Sequence, residues 1–181
     1  RLGTRPIVVF TKAETWDSLL IRCLFDLSRA IPVRRGEADT TALRRAAEVL
    51  ETGHILAVAP EGTRSGDGRL QRGHPGMVML ALRSGAPLLP MAYYGGESLR
   101  RNVARLRRTD FHIVVGQPFY LDAGGAKMTR EVRQQMVDEI MYQLAALLPP
   151  AYRGHYSNLA AATETYLRFA ASSASNLQRA R

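Results

Sequence analysis

Cysteine occurs once in the 181 residues, at Cys23, so no internal disulfide can form, and the four histidines lack the paired cysteines of a zinc site. No metal is expected. No apolar run approaches the roughly 20 residues that span a bilayer; the longest, 77–82 and 86–94, are core-sized or interrupted by proline. Lysine is nearly absent as well. Lys12 and Lys127 are the only two, so arginine supplies almost all of the 25 basic residues, which against 16 acidic ones leave a formal charge of +9. Arginine offers a planar fork of donors that fits phosphate and carboxylate, which points to acidic partners: nucleic acid, anionic lipid headgroups or a phosphorylated small molecule. A GC-rich genome enriches arginine and alanine too. Aromatics make up only 7% and no recognised nucleic-acid module is present, so nucleic acid is not expected as a partner.

What is present is a chain that can bury a core, with 46% hydrophobic residues and no linker long enough to divide it. Residues 5–11 read as a short buried strand. Leu19, Leu20, Cys23, Leu24 and Leu27 fall on one face of a helix, which makes Cys23 a core residue. The piece Ile31-Pro32-Val33 is extended, residues 39–51 helical with Gly53 as a stop, and residues 55–59 an apolar strand ending at Pro60. After a polar loop over 61–73, the pattern predicts a helix at 77–83, a strand at 87–94, a basic helix at 97–108 and a strand at 110–116. Val132, Met136, Ile140 and Leu144, spaced by four, predict a long amphipathic helix over 129–148, and the Ala-rich stretch 158–171 predicts a surface helix. Strands apolar on both faces, alternating with helices, imply an α/β fold: a mixed, mostly parallel sheet flanked by helices on both faces, with C-terminal helices. The expected division is a main domain over 1–150 and a C-terminal helical extension over 151–181.

Familiar motifs fail on inspection. Gly66-Asp67-Gly68 begins like a dinucleotide fingerprint, but the third glycine position holds Gln71. What remains is Pro60-Glu61-Gly62-Thr63-Arg64-Ser65, polar residues at the carboxyl end of an apolar strand, where open α/β sheets bind ligands. The cluster suits a phosphate monoester: Arg64 offers a bidentate pair, Thr63 a hydroxyl, and Gly62 lets backbone N–H groups approach. Glu61 cannot hold phosphate; its work is to orient Arg64 or a neighbouring donor. The alternative is a polar turn in which Glu61 and Arg64 merely pair. If the strands are parallel neighbours, Lys12 and Arg35 emerge beside Arg64 at one sheet edge. Pro87, Leu88 and Pro90 form a stiff apolar piece that would serve equally as the wall of an acyl pocket or as buried strand.

Together Ile31-Pro32-Val33-x-Arg35-Gly36, the Glu-Gly-Thr-Arg block and Pro87-Leu88-Leu89-Pro90, preceded by Lys12-Ala13-Glu14, resemble the sequence blocks of the lysophospholipid acyltransferase family over residues 5–122. The resemblance implies a glycerolphosphate acyltransferase-like fold and transfer of a fatty acyl group from acyl-CoA or acyl carrier protein to the free hydroxyl of a lysophospholipid. The acceptor implied is 1-acyl-glycerol 3-phosphate, its phosphate held by Lys12, Arg35, Glu61, Gly62, Thr63 and Arg64. No bound cofactor is implied beyond the acyl thioester donor. In the family a His-x4-Asp block supplies a general base and the carboxylate that orients it. Here the positions five after the histidines hold Ala59, Met79, Gln117 and Ala160. The expectation is that this block precedes Arg1 in a longer protein, so that these residues are the phosphate-binding portion; a catalytically silent lysophospholipid-binding remnant is the alternative. Of the histidines, only His74 lies near the phosphate loop.

Leu99, Val103 and Leu106 share one face of the predicted basic helix, with Arg100, Arg101, Arg105 and Arg108 around the rest. That pattern fits a helix lying on an anionic membrane, at its cytoplasmic face, or equally a helix docked by its apolar side on the sheet.

Overall fold

The computed structural model describes residues 5–12, 31–33, 40–63, 65–97, 99–171 and 173–180. The helix expected around Cys23 lies outside them, as do the side chains of Arg35 and Arg64. Strand β1 (Ile7–Lys12) is the centre of a parallel three-stranded sheet, flanked by β2 (Ile31–Val33) and β3 (Ile55–Ala57). Phe10 pairs with Ile31 and Lys12 with Val33 on one side, while Ile7 pairs with Ile55 and Val9 with Ala57 on the other. Because all three strands run the same way, the chain leaves them at one edge.

Helix α1 (Thr40–Glu51) makes the crossover from β2 to β3 and packs on α2 (Gly76–Ser84). A parallel pair needs such a crossover. Gly85, in a left-handed conformation at φ 59°, closes α2 by donating its N–H to the Ala81 carbonyl. The strand expected over 87–94 is split. Pro87 and Pro90 have no N–H to give a ladder, so Leu88 makes a lone antiparallel bridge to Phe119 and β4 proper is confined to Met91–Tyr94.

The remaining strands are antiparallel. β4 pairs with β5 (His112–Val115), and β6 (Phe119–Leu121) pairs with β7 (Leu167–Phe169). The architecture is therefore mixed α/β as expected, but among the described residues the strands form three small sheets, one parallel and two antiparallel, and not a single mostly parallel sheet. Nor are the strands uniformly buried: Met91, Tyr93, Ile113 and Val115 share one face of the β4–β5 pair and are all exposed. The basic helix is shorter than expected, with α3 running only from Leu99 to Ala104.

The core gathers around α4 (Arg130–Ala146), capped by the Thr129 hydroxyl on the Val132 N–H. Met136, Val137, Ile140 and Met141 pack against Val78 and Ala81 of α2, Phe119 and Leu121 of β6, and Tyr156 and Leu167 from the tail. The helix expected over 158–171 is absent. A 3₁₀ turn at Leu159–Ala161 and strand β7 stand in its place, because Leu167 pairs across to Leu121 and is buried there. Of the helices expected in residues 151–181, the short α5 (Asn176–Arg179) and 3₁₀ turns are what form among the described residues, and Tyr156 and Leu167 of the segment join the core around α4.

Candidate phosphate-binding site

Past Ala57 the chain continues from β3 to Pro60 and turns, with the Gly62 N–H donating to the Ala59 carbonyl at 3.0 Å. Gly62 sits at φ 64°, in the left-handed region where a side chain is strained. A Cβ there would also lie 3.2 Å from the His74 ring. The loop closes on itself. The His74 N–H donates to the Pro60 carbonyl at 2.8 Å, and the Gln71 N–H donates to Glu61 Oε2 at 2.8 Å. Asp67 accepts from the Arg69 N–H at 3.0 Å and fixes the tip.

Glu61 is thus a loop-closing acceptor, and the neighbouring donor it orients is the Gln71 amide. Burial raises its pKa above the ordinary carboxylate range, opposed by the Gln71 N–H and assisted by the nearby Asp67 carboxylate. Thr63 is exposed beside it. The parallel register brings Lys12 to the same level as Val33, so the backbone places the ends of β1 and β2 and the Glu61–Thr63 turn at one edge of the sheet. The side chains of Lys12, Arg35 and Arg64 lie outside the description.

A cleft of about 920 Å³ opens beside the loop, lined by Arg72, His74, Arg130, Gln134, Asp138 and Tyr142 among others. Pro87, Leu88 and Pro90 line neither this cleft nor a second one of about 420 Å³ beside Tyr94 and Arg108. Leu88 packs on the core and exchanges both backbone hydrogen bonds with Phe119, and Pro90 is buried, while Pro87 and Leu89 are exposed.

The chain between β4 and β5 carries the surface arginines. Arg101, Arg105 and Arg108 are exposed; the side chain of Arg100 is not described. α3 ends with the Arg107 N–H on the Asn102 carbonyl at 2.8 Å and the Leu106 N–H on the Val103 carbonyl at 3.1 Å, the pairing of a Schellman closure. Leucine occupies its left-handed position, usually glycine: Leu106 has φ 52° and is 98% exposed. Val103 is 62% exposed, so neither it nor Leu106 is buried against the sheet as one expectation had it; the side chain of Leu99 is not described.

Sequence reasoning missed three residues that hold the loop from outside it. Tyr156 and Gln134 lie 83 and 61 positions from Gly73, which they contact, and Asp138 acts through both, so no local pattern marks them. His74 was singled out by proximity alone, and its ring does face Gly62.

A model of the acyltransferase family matches residues 1–94, half of the chain and including the whole loop turn. The chain belongs to the acyltransferase family. The chain is 36% identical over 110 residues to a 1-acyl-sn-glycerol-3-phosphate acyltransferase of Limnanthes alba, covering 59% of the chain and 38% of that protein. It is 28% identical over 110 residues to the protein of the same name from Bacillus subtilis (strain 168), covering 60% of the chain and 52% of the relative. The chain therefore spans about half or less of the length of these relatives. The crystal structure of PlsC, the 1-acyl-sn-glycerophosphate acyltransferase of Thermotoga maritima, shares the fold with a TM-score of 0.51 at 23% identity, over 76% of this chain and 64% of that one.

Proposed function

We propose that the protein acts in transfer of a fatty acyl group from an acyl-CoA or acyl carrier protein thioester to the free hydroxyl of a lysophospholipid, 1-acyl-glycerol 3-phosphate, and that the described loop binds the acceptor phosphate. The observation that carries this reading is the parallel register, which brings the ends of β1, β2 and β3 to one edge, where Lys12 stands and Arg35 and Arg64 follow in sequence. Curated relatives named for the same acceptor support it. Three cations against a dianionic phosphate supply charge-assisted hydrogen bonds that a single surface arginine could not.

Within these 181 residues no histidine is followed at the fifth position by aspartate, so the reading assigns the chain acceptor binding and not the general base. The same fact favours a second reading, a lysophospholipid-binding protein without turnover. Acyl transfer by the gene product that includes any upstream residues separates the two.

The protein would work at the cytoplasmic face of an anionic membrane. Leu106 is held in a strained backbone conformation and fully exposed, with Arg105, Arg107 and Arg108 beside it, which suits a tip that enters the headgroup layer. Among the described residues no helix is long and apolar enough to cross a membrane.

The phosphate reading is tested by calorimetric titration of glycerol 3-phosphate, a soluble probe of the acceptor headgroup. Arg64→Ala and Arg35→Ala are each expected to weaken binding by about tenfold or more, the loss of a charge-assisted pair. Unchanged affinity in both variants would refute it.

A further inference from the structure

The loop over 61–74 closes on itself through Glu61 and Pro60, bonds that lie within residues 60–74 and do not join it to the rest of the chain. What ties it to the body of the protein comes from the far end of the chain. The Leu70 N–H donates to the Tyr152 carbonyl and the His155 N–H to the Leu70 carbonyl, each at 3.0 Å. The Gly73 N–H donates to the Tyr156 hydroxyl at 3.0 Å, and that hydroxyl donates to Asp138 Oδ1 at 2.8 Å. Gln134 Nε2 completes the ring, donating to Asp138 Oδ1 at 3.0 Å and reaching the Gly73 carbonyl at 3.4 Å.

The directions of these bonds are set by chemistry. A backbone N–H only donates, so the phenol oxygen accepts from Gly73 and its single proton points to Asp138. Burial, together with the Asp138 carboxylate, pushes the Tyr156 pKa well above its ordinary value, so the group stays a phenol. Gly73 lies directly on α4: a Cβ there would be 2.7 Å from Met141 Cγ and 3.0 Å from Val137 Cγ2. The next residue, His74, carries the ring against Gly62.

We propose that Tyr156 is a positioning residue for the phosphate loop, its hydroxyl locking Gly73 through Asp138 and Gln134 so that His74 holds Gly62 and Thr63 in their binding shape. This inference rests on the reading that the loop binds the acceptor phosphate. Packing alone does not require the hydroxyl. Tyr156 is 1% exposed, and a phenylalanine would fill the same space against Tyr142 and the core.

The test is Tyr156→Phe in the 181-residue chain, read by titration of glycerol 3-phosphate, by thermal unfolding and by amide exchange at Gly73. The expected result is about tenfold weaker binding, the scale of one lost buried hydrogen bond, with faster exchange at Gly73 and unchanged exchange at Tyr166. Wild-type affinity in the folded variant, whatever its unfolding midpoint, overturns the inference, because a purely structural hydroxyl changes stability without changing affinity. If Tyr156→Phe does not fold, Gln134→Ala replaces it, a half-buried residue outside the apolar core; its binding should also weaken, and wild-type affinity overturns the inference. Failure of the wild type to bind, or indifference to Arg64→Ala, strikes instead at the phosphate reading, so the two failures are told apart.

Discussion

Glu139 accepts the backbone N–H of Tyr166 at 2.9 Å, and through this contact a carboxylate only 1% exposed sets where β7 begins. The same side chain accepts from the Thr165 N–H at 3.0 Å, the Thr163 hydroxyl at 2.7 Å and Gln135 Nε2 at 3.3 Å. This buried carboxyl group is thus satisfied by dipoles, mostly from one short stretch of tail. Glu139→Ala would leave these donors without their acceptor and cost about 3 kcal/mol, and Glu139→Gln, which keeps one acceptor oxygen, about half of that. Urea unfolding measures both; equal, small losses would show that water replaces the carboxylate.

Gly154 and Gly85 are both left-handed, yet alanine should affect them differently. At Gly85 a Cβ meets nothing within 4 Å, so only the backbone penalty of about 1 kcal/mol applies. At Gly154 a Cβ would lie 2.2 Å from the Leu70 carbonyl oxygen, which already accepts from His155. Gly154→Ala is expected to cost about 3 kcal/mol and to free the Leu70 amide to exchange. Similar losses in the two variants, by chemical unfolding, would contradict the close approach.

Leu106→Gly should act in opposite directions on stability and on membrane binding. Glycine relieves the left-handed strain, raising stability by up to about 1 kcal/mol, since the leucine side chain is 98% exposed and buries nothing. Binding to vesicles containing phosphatidylglycerol should weaken at the same time, and more so in Leu106→Gly with Arg105→Glu. Unchanged sedimentation with those vesicles would remove the turn from the membrane contact.

Glu61 makes a pH-dependent prediction. Its pKa is raised by burial, so the folded protein holds that proton more tightly than the unfolded chain. The stability this contributes is fully present below the ordinary value of 4.5 and is lost as pH rises through the raised folded value. Glu61→Gln keeps an acceptor for the Gln71 N–H without the charge. The stability difference, wild type minus variant, should therefore fall as pH is raised from about 4.5 to 7. A difference that grows with pH would mean that the ionised carboxylate is the stabilising form.

Some of this protein is written in local pattern. Apolar spacing of four marks α4 because one face of a helix must meet the core, and Gly85 marks the end of α2 because only glycine turns left-handed there without strain. The strand-end block Pro60-Glu61-Gly62-Thr63 is legible because strands, turns and phosphate chemistry each demand particular residue types at consecutive positions. Prolines 87 and 90 should have warned against a continuous strand.

Tertiary structure decided the rest, since pairing partners and burial are long-range quantities that periodicity does not encode. The Ala-rich stretch 158–171 has helical composition, yet Leu167 is strand because β6 offers an edge and Glu139 binds the residues before it. The sheet order, which sends β1, β2 and β3 out at one edge, follows from register. The hold of the Tyr156 hydroxyl on Gly73 joins residues 83 positions apart, a contact made only when α4 brings Asp138 beneath them both. Sequence alone determined the residue types that the proposed phosphate site rests on; packing across the core decided what anchors Leu70 and Gly73 of the loop, because a short polar loop cannot fix its own orientation against the body that carries it.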